Sequence, residues 1–233
     1  MTDVSGASPE GPTIDRRDPD VTPRGLVLML HGGTQRSLDP VGPRSGSLKR
    51  TVIMRDALAP RFLEAGHAVW LLRFAQRGWN ADAPGGPSPV ADTRWALERV
   101  REAYADVPVV LLGHSMGGRT ATQAADDRSV TGVVGLAPWF EPGDPVAPLA
   151  GKTFVAGHGR RDRITSARAT QAYVERAAQV AASANFFPLG LAGHYMVYRH
   201  VRWNRFALRH TLDLLDRATG HQHRQKPRSG GPA

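Results

Sequence analysis

The chain has 233 residues and a mass of 25.2 kDa, which suits one domain, and with 41% hydrophobic and 22% charged residues it is not a wholly disordered chain. It contains no cysteine, which excludes disulfides, thiolate nucleophiles, cysteine-ligated zinc and cysteine-held iron–sulfur clusters. The formal charge of +9 is spread as +4 over residues 217–233, −2 over residues 1–24 and +7 over the rest, with only three lysines among 30 basic residues. That pattern fits arginine-rich coding bias, and no recognition helix, aromatic platform or zinc finger accompanies it, so no nucleic-acid partner is expected.

Residues 1–24 are polar and hold Pro9, Pro12, Pro19 and Pro23, and are expected to be a flexible N-terminal segment. They have no basic start followed by an apolar stretch, so they do not read as a secretory signal. The longest apolar run, Gly25 to Leu30, is far short of the roughly 20 residues of a membrane span, and a cytoplasmic location is the expectation. From there short apolar runs alternate with helical patterns: a strand at Leu26–Leu30, a helix over Leu48–Ala65 with Pro60 as a kink or turn, a strand at Ala68–Leu72, a helix over Val90–Tyr104, strands at Val109–Leu112 and Val130–Leu136 separated by a small helix Met116–Ala125, a strand at Thr153–Ala156, a helix over Ser166–Ala182, a strand at Asn185–Leu189 and a last helix over Met196–Ala218. Strand and helix in alternation predict an α/β domain over residues 25–218, with a mostly parallel sheet of about six strands, or more, covered by helices on both faces. Residues 219–233 are expected to be a disordered basic tail. His221 and His223 lie there two apart, with nothing to fix a metal-binding geometry, and no metal is expected.

In such a sheet the chemistry sits in the loops after the strands. The strand Val109–Leu112 runs into Gly113-His114-Ser115-Met116-Gly117-Gly118 and then a helix. A serine at the apex of a sharp strand-to-helix turn exposes its hydroxyl, and glycines two before and two after remove side chains that would collide with neighbouring backbone. The N–H of Met116, at the start of the helix, points where an oxyanion would develop. After the first strand, His31-Gly32-Gly33-Thr34 offers a second donor at Gly33, with Thr34 next in line; His31 is read as a brace for its own loop. Asp162 follows the fifth strand and can orient a histidine, with a helix-capping or ion-paired role beside Arg160, Arg161 and Arg163 as its alternative, and Asp144 as the runner-up acid. His194, in the loop Gly190-Leu191-Ala192-Gly193-His194-Tyr195, is placed to reach the serine and is preferred as base over His158, His200 and His210. The loop Arg73-Phe74-Ala75-Gln76-Arg77-Gly78-Trp79-Asn80 borders the pocket. Trp79 there either lines an acyl or aromatic site or packs, and Arg73 or Arg77 either meets an anionic group or bonds to backbone and acids.

The order Ser115, Asp162, His194, preceded by His31-Gly32-Gly33, resembles the α/β-hydrolase fold superfamily over roughly residues 25–216, and within it small lidless serine esterases of the dienelactone-hydrolase, lipase and cutinase-like kind. Gly113–Gly118 and Leu136-Ala137-Pro138-Trp139 are similar to stretches of bacterial polyester hydrolases, and the resemblance implies an acyl-site role for Trp139, with packing as the alternative. Only Ala137 to Gly151 separates the fourth strand from the acid's strand, too short for a cap domain. The resemblance implies a serine hydrolase that cleaves a small-molecule acyl ester through an acyl-enzyme, with no cofactor. A thioesterase or acyltransferase would use the same triad, and a non-catalytic binding module on the same fold is the reading from another class. The oligomeric state, the acyl chain length and the natural substrate are not legible.

Overall fold

The computed structural model describes residues 11–196 and 199–220. In chain order the elements are β1 (Thr13–Arg17), β2 (Gly25–Leu30), α1 (Gly46–Glu64), β3 (His67–Arg73), α2 (Ser88–Ala103), β4 (Val109–His114), α3 (Met116–Gln123), β5 (Val130–Leu136), β6 (Thr153–His158), α4 (Ala167–Ala177), β7 (Ser183–Pro188) and α5 (His200–Ala218). The seven strands form one sheet in the order β1-β3-β2-β4-β5-β6-β7, parallel except for β1, which pairs antiparallel with β3.

Period-two alternation divides the core between the two faces of this sheet. Along β2, Leu26, Leu28 and Leu30 join a cluster with Leu97 of α2, Ala121 of α3 and Tyr173 of α4, whereas Val27 and Met29 join Met54, Leu58 and Phe62 of α1 and Trp203 and Leu215 of α5. All six residues of β2 are buried, as a strand covered on both faces requires. Pro60 lies inside α1 and does not end it: Met54, Leu58 and Phe62 keep that face of the helix seated on the sheet as far as Glu64.

The N-terminal segment departs from expectation. Residues 13–17 are an edge strand, which brings the sheet to seven strands, within the six or more expected. Ile14, opposite Leu72, packs on the core, the Arg16 guanidinium lies 4.1 Å from the Trp70 ring, and the Trp70 indole N–H donates to Asp18 at 2.7 Å. Asp15 and Asp56 flank the Arg55 side chain, which is 3% exposed. A strand tied by one apolar side chain and polar pairs leaves no hydrophobic run in the sequence. Residues 1–10 and 221–233, which include His221, His223 and most of the expected basic tail, lie outside the described residues.

Between β5 and β6 residues 137–152 hold only a 3₁₀ turn, Ala147–Leu149, so no cap domain covers the sheet there. No helix among the described residues is long and apolar enough to cross a membrane. The loops that follow β2, β4, β6 and β7 therefore open at one edge of the sheet without a lid inserted after β5. Replacing Ile14 with Asp puts a carboxylate on the core side of β1, and urea unfolding should show a loss of about 1–3 kcal/mol; an unchanged midpoint would mean that β1 contributes nothing to the fold.

Candidate active site

Ser115 caps the N-terminus of α3 with φ 55° and ψ −118°, a conformation that a residue with a side chain adopts only when its surroundings impose it. Backbone contact imposes it here. A Cβ on Gly113 would stand 2.2 Å from the Gly117 carbonyl oxygen, and one on Gly117 would stand 2.3 Å from that of Leu30. The Ser115 N–H donates to Leu136 O at 3.0 Å, and its carbonyl accepts from Trp139 N at 3.2 Å, which ties the turn to the end of β5.

The structure brings Ser115, His194 and Asp162 together. Ser115 Oγ lies 3.1 Å from His194 Nε2, and His194 Nδ1 lies 2.8 Å from Asp162 Oδ2. A carboxylate only accepts, so the His194 proton sits on Nδ1 and leaves Nε2 as an acceptor for the serine hydroxyl. Asp162 Oδ1 accepts from the N–H groups of Ile164 and Thr165, both at 2.8 Å, and Oδ2 accepts from the Thr165 hydroxyl at 3.0 Å. Burial pushes the Asp162 carboxyl up, but hydrogen bonds from His158, His194 and the Thr165 N–H outweigh it and hold the group well below the usual carboxylate range.

Two of these partners were not foreseen. His158, passed over as a base because it precedes the acid in the same loop, sets Nε2 3.1 Å from Asp162 Oδ2 while Nδ1 meets Thr170 Oγ1 at 2.8 Å. Thr165, on the far side of the acid, also lies 3.1 Å from His194 Nδ1. The only sequence signal was the spacing itself: His158 and Thr165 flank Asp162 by four and three residues, close enough for a tight turn to fold both onto it.

His31 and His114 are buried and neutral. His31 Nε2 accepts from Phe74 N at 3.2 Å and Nδ1–H donates to Gly32 O at 2.6 Å, which is the loop brace read from the sequence; burial lowers its pKa to about 4. His114 Nε2–H donates to the His194 carbonyl at 2.9 Å and anchors the base's loop; burial, then the neighbouring His194, lowers its pKa to about 3.

Beside the serine, the N–H of Met116 opens α3 and lies outside the intrahelical ladder, and the N–H of Gly33 has no partner among the described residues. A Cβ on Gly33 would meet Arg77 O at 2.3 Å and the Met116 side chain at 2.4 Å, so only glycine fits. The Thr34 N–H is already given to Arg77 O at 2.9 Å, and the exposed Thr34 side chain lines a polar cavity beside Gly33. Trp79 is 2% exposed and belongs to the core, which is the packing alternative read from the sequence. The Arg119 guanidinium lies 4.4 Å from the Trp79 ring and 4.4 Å from that of Trp139, and the indole of half-buried Trp139 donates to Glu141 at 2.8 Å. The buried Asp144 pairs with Arg119, at 3.0 Å from Nε, rather than with a histidine.

A family model for the alpha/beta hydrolase fold matches residues 25–216. A comparison with curated proteins found no match. Among solved structures the chain is similar to an alpha-beta serine hydrolase homologue from Coxiella burnetii (TM-score 0.63, 17% identity, 86% of this chain and 94% of that one). It is similar also to Est1E from Butyrivibrio proteoclasticus with ferulic acid bound (0.63, 13%, 88% and 95%), and to XC6422 from Xanthomonas campestris, described as a serine hydrolase without lid (0.58, 20%, 86% and 87%).

Below about pH 6.5, His31 and His114 stay uncharged in the folded chain and take up a proton when it unfolds. Their folded pKa values lie below the ordinary 6.5, so the stability they carry is present above that value and lost as the pH falls toward about 4 and about 3. Calorimetry at about pH 7 and about pH 4.5 should show a loss on the order of 3 kcal/mol per histidine, and His31→Gln should flatten that slope.

Proposed function

We propose, from the premise that the chain belongs to the α/β-hydrolase fold family, that it is a serine hydrolase that cleaves carboxylic esters through an acyl-enzyme on Ser115. The observation that carries this reading is the unbroken line from Asp162 Oδ2 through both nitrogens of His194 to Ser115 Oγ, at 2.8 and 3.1 Å, on a serine whose backbone is held at positive φ.

Each residue's part follows from its surroundings. Ser115 Oγ attacks the acyl carbonyl as its proton passes to His194 Nε2, and the resulting imidazolium is stabilised by the ionised Asp162. The N–H groups of Met116 and Gly33 donate to the developing oxyanion. His194 then returns the proton to the leaving alkoxide, and water repeats the sequence on the acyl-enzyme. His158 and Thr165 hold Asp162 in place and ionised while His194 becomes cationic. The absence of a cap between β5 and β6 supports accessible acyl substrates, and Est1E, similar in fold, is a protein whose structure holds ferulic acid.

A fluorophosphonate should label Ser115 and no other residue, read by peptide mass spectrometry. Ser115→Ala should lower kcat on short nitrophenyl esters by more than about 10⁴-fold with the fold intact; turnover kept by a folded Ser115→Ala protein would end this reading. Asp162→Asn removes the charge opposite the imidazolium and permits the wrong histidine tautomer, and should lower kcat by roughly 10²–10⁴-fold with KM little changed.

A further inference from the structure

Among the described residues, three inward-lying arginines have carboxylates. Arg55, 3% exposed, meets Asp15 and Asp56; Arg119, 9% exposed, meets Asp144; Arg101 meets Asp127. Arg50, one turn into α1 and half-buried, has no carboxylate partner among the described residues, and its Nε is buried without a hydrogen-bond acceptor. Its guanidinium lies 4.8 Å from the centre of the Tyr195 ring. Stacking of that kind occupies the face of a guanidinium and leaves the in-plane N–H donors unused. The terminal nitrogens, which make no hydrogen bond among the described residues and are not buried as Nε is, are the donors that an anion in the neighbouring cavity would meet.

The space beside Arg50 has the chemistry to admit one. A cavity of about 210 Å³ is lined by Gly33, Thr34, Ser45, Ser47, Arg50 and Arg77 among others, and no acidic side chain lines it. One of its wall residues, Gly32, lies next to the nucleophile: a Cβ there would stand 3.2 Å from Ser115 Cβ. Arg50 Nη1 lies against its wall, 3.4 Å from where a Cβ on Gly46 would be. Arg77, at the exposed end, is held only loosely, 3.9 Å from a largely exposed Asp39. On its other side Arg50 lines a mostly apolar groove with Ile53, Met54, Ala57 and Met196, beside Tyr195 and so next to His194.

We propose that this cavity binds a carboxylate carried by the substrate, held by Arg50 with Arg77 at the rim, so that the preferred esters are those of dicarboxylic acids or of carboxylate-bearing alcohols. The proposal rests on Ser115 as the nucleophile. A carboxylate seated here meets the terminal N–H groups of Arg50 and places an ester several bonds away over Ser115, which serves recognition and positioning without entering the proton transfers.

The test uses two matched pairs of esters: mono-nitrophenyl adipate against nitrophenyl hexanoate, which puts the charge on the acyl side, and carboxyphenyl hexanoate against phenyl hexanoate, which puts it on the alcohol side. One pair should show a charged-to-neutral ratio of kcat/KM of about tenfold or more at low salt, which names the side. Arg50→Gln should reduce that ratio about tenfold through KM, and Arg50→Lys, which keeps a charge but not the fork, should restore part of it. Ratios near one for both pairs in the wild type, or a ratio that Arg50→Gln leaves unchanged, would overturn the carboxylate site while hydrolysis of the neutral esters kept Ser115 in its role. Should no ester turn over, the esterase reading fails by itself, and titration calorimetry with adipate decides the cavity: binding weakened about tenfold by Arg50→Gln supports it, and equal or absent binding in the two proteins overturns it.

Discussion

Backbone pressed against backbone at three glycines is the constraint on which the site depends. The end of β4, the start of α3 and the end of β2 approach so closely at Gly113 and Gly117 that no side chain fits between them. That contact bends the chain sharply enough to hold Ser115 at φ 55°, and it fixes the distance between the serine and the Gly32–Gly33 loop in the same stroke. The third glycine, Gly33, carries the relation outward, because its Cα sits where any larger residue would strike Met116 and Arg77 O. Ser115 and the Gly32–Gly33 loop are thereby positioned by parts that have no rotamers to vary, which is the rigidity that the proposed oxyanion stabilisation needs.

The acid is positioned by a different device. Asp162 accepts from two backbone N–H groups, one hydroxyl and two imidazoles. A buried carboxylate with that many donors has little freedom to rotate and strong reason to stay ionised. The base loop is fastened separately, through the His114 ring to the His194 carbonyl. Three histidines thus serve one chemical centre, and only His194 faces the hydroxyl. Neutral His114 holds the base's backbone, and His158 holds the acid's oxygen.

The basic charge resolves into separate populations once the chain is folded. Several arginines are structural, bridging elements through carboxylates: Arg55 ties β1 to α1, Arg119 ties α3 to the loop after β5, and Arg101 ties α2 to the turn before β5. Others lie at the surface in pairs whose contribution is small, such as Arg36–Asp82. Arg50 belongs to neither population, and that makes a residue unremarked in the sequence a point of interest beside the serine.

The order of strands and helices from β2 to α5 was legible because a sheet buried on both faces needs unbroken apolar strands, and these stand out between polar helices. The three loops holding Ser115, Asp162 and His194 followed from that order, since the parallel connection returns every strand's C-terminal end to one edge. The edge strand β1 was not legible: Ile14 alone points to the core, and the remaining pairs are polar and reach across 40 positions of sequence, from Asp15 to Arg55, and 52, from Asp18 to Trp70. The sequence left Trp79 open between lining a site and packing, and only the fold shows its large apolar surface in the core, beside the Arg119 guanidinium. The sequence by itself determined the turn at Ser115, because glycine spacing reports directly on how closely backbones must pass. Only the tertiary structure decided which of several histidines, arginines and aspartates meet, because hydrogen bonds and ion pairs depend on distances of a few ångströms between residues whose separation along the chain carries no such information.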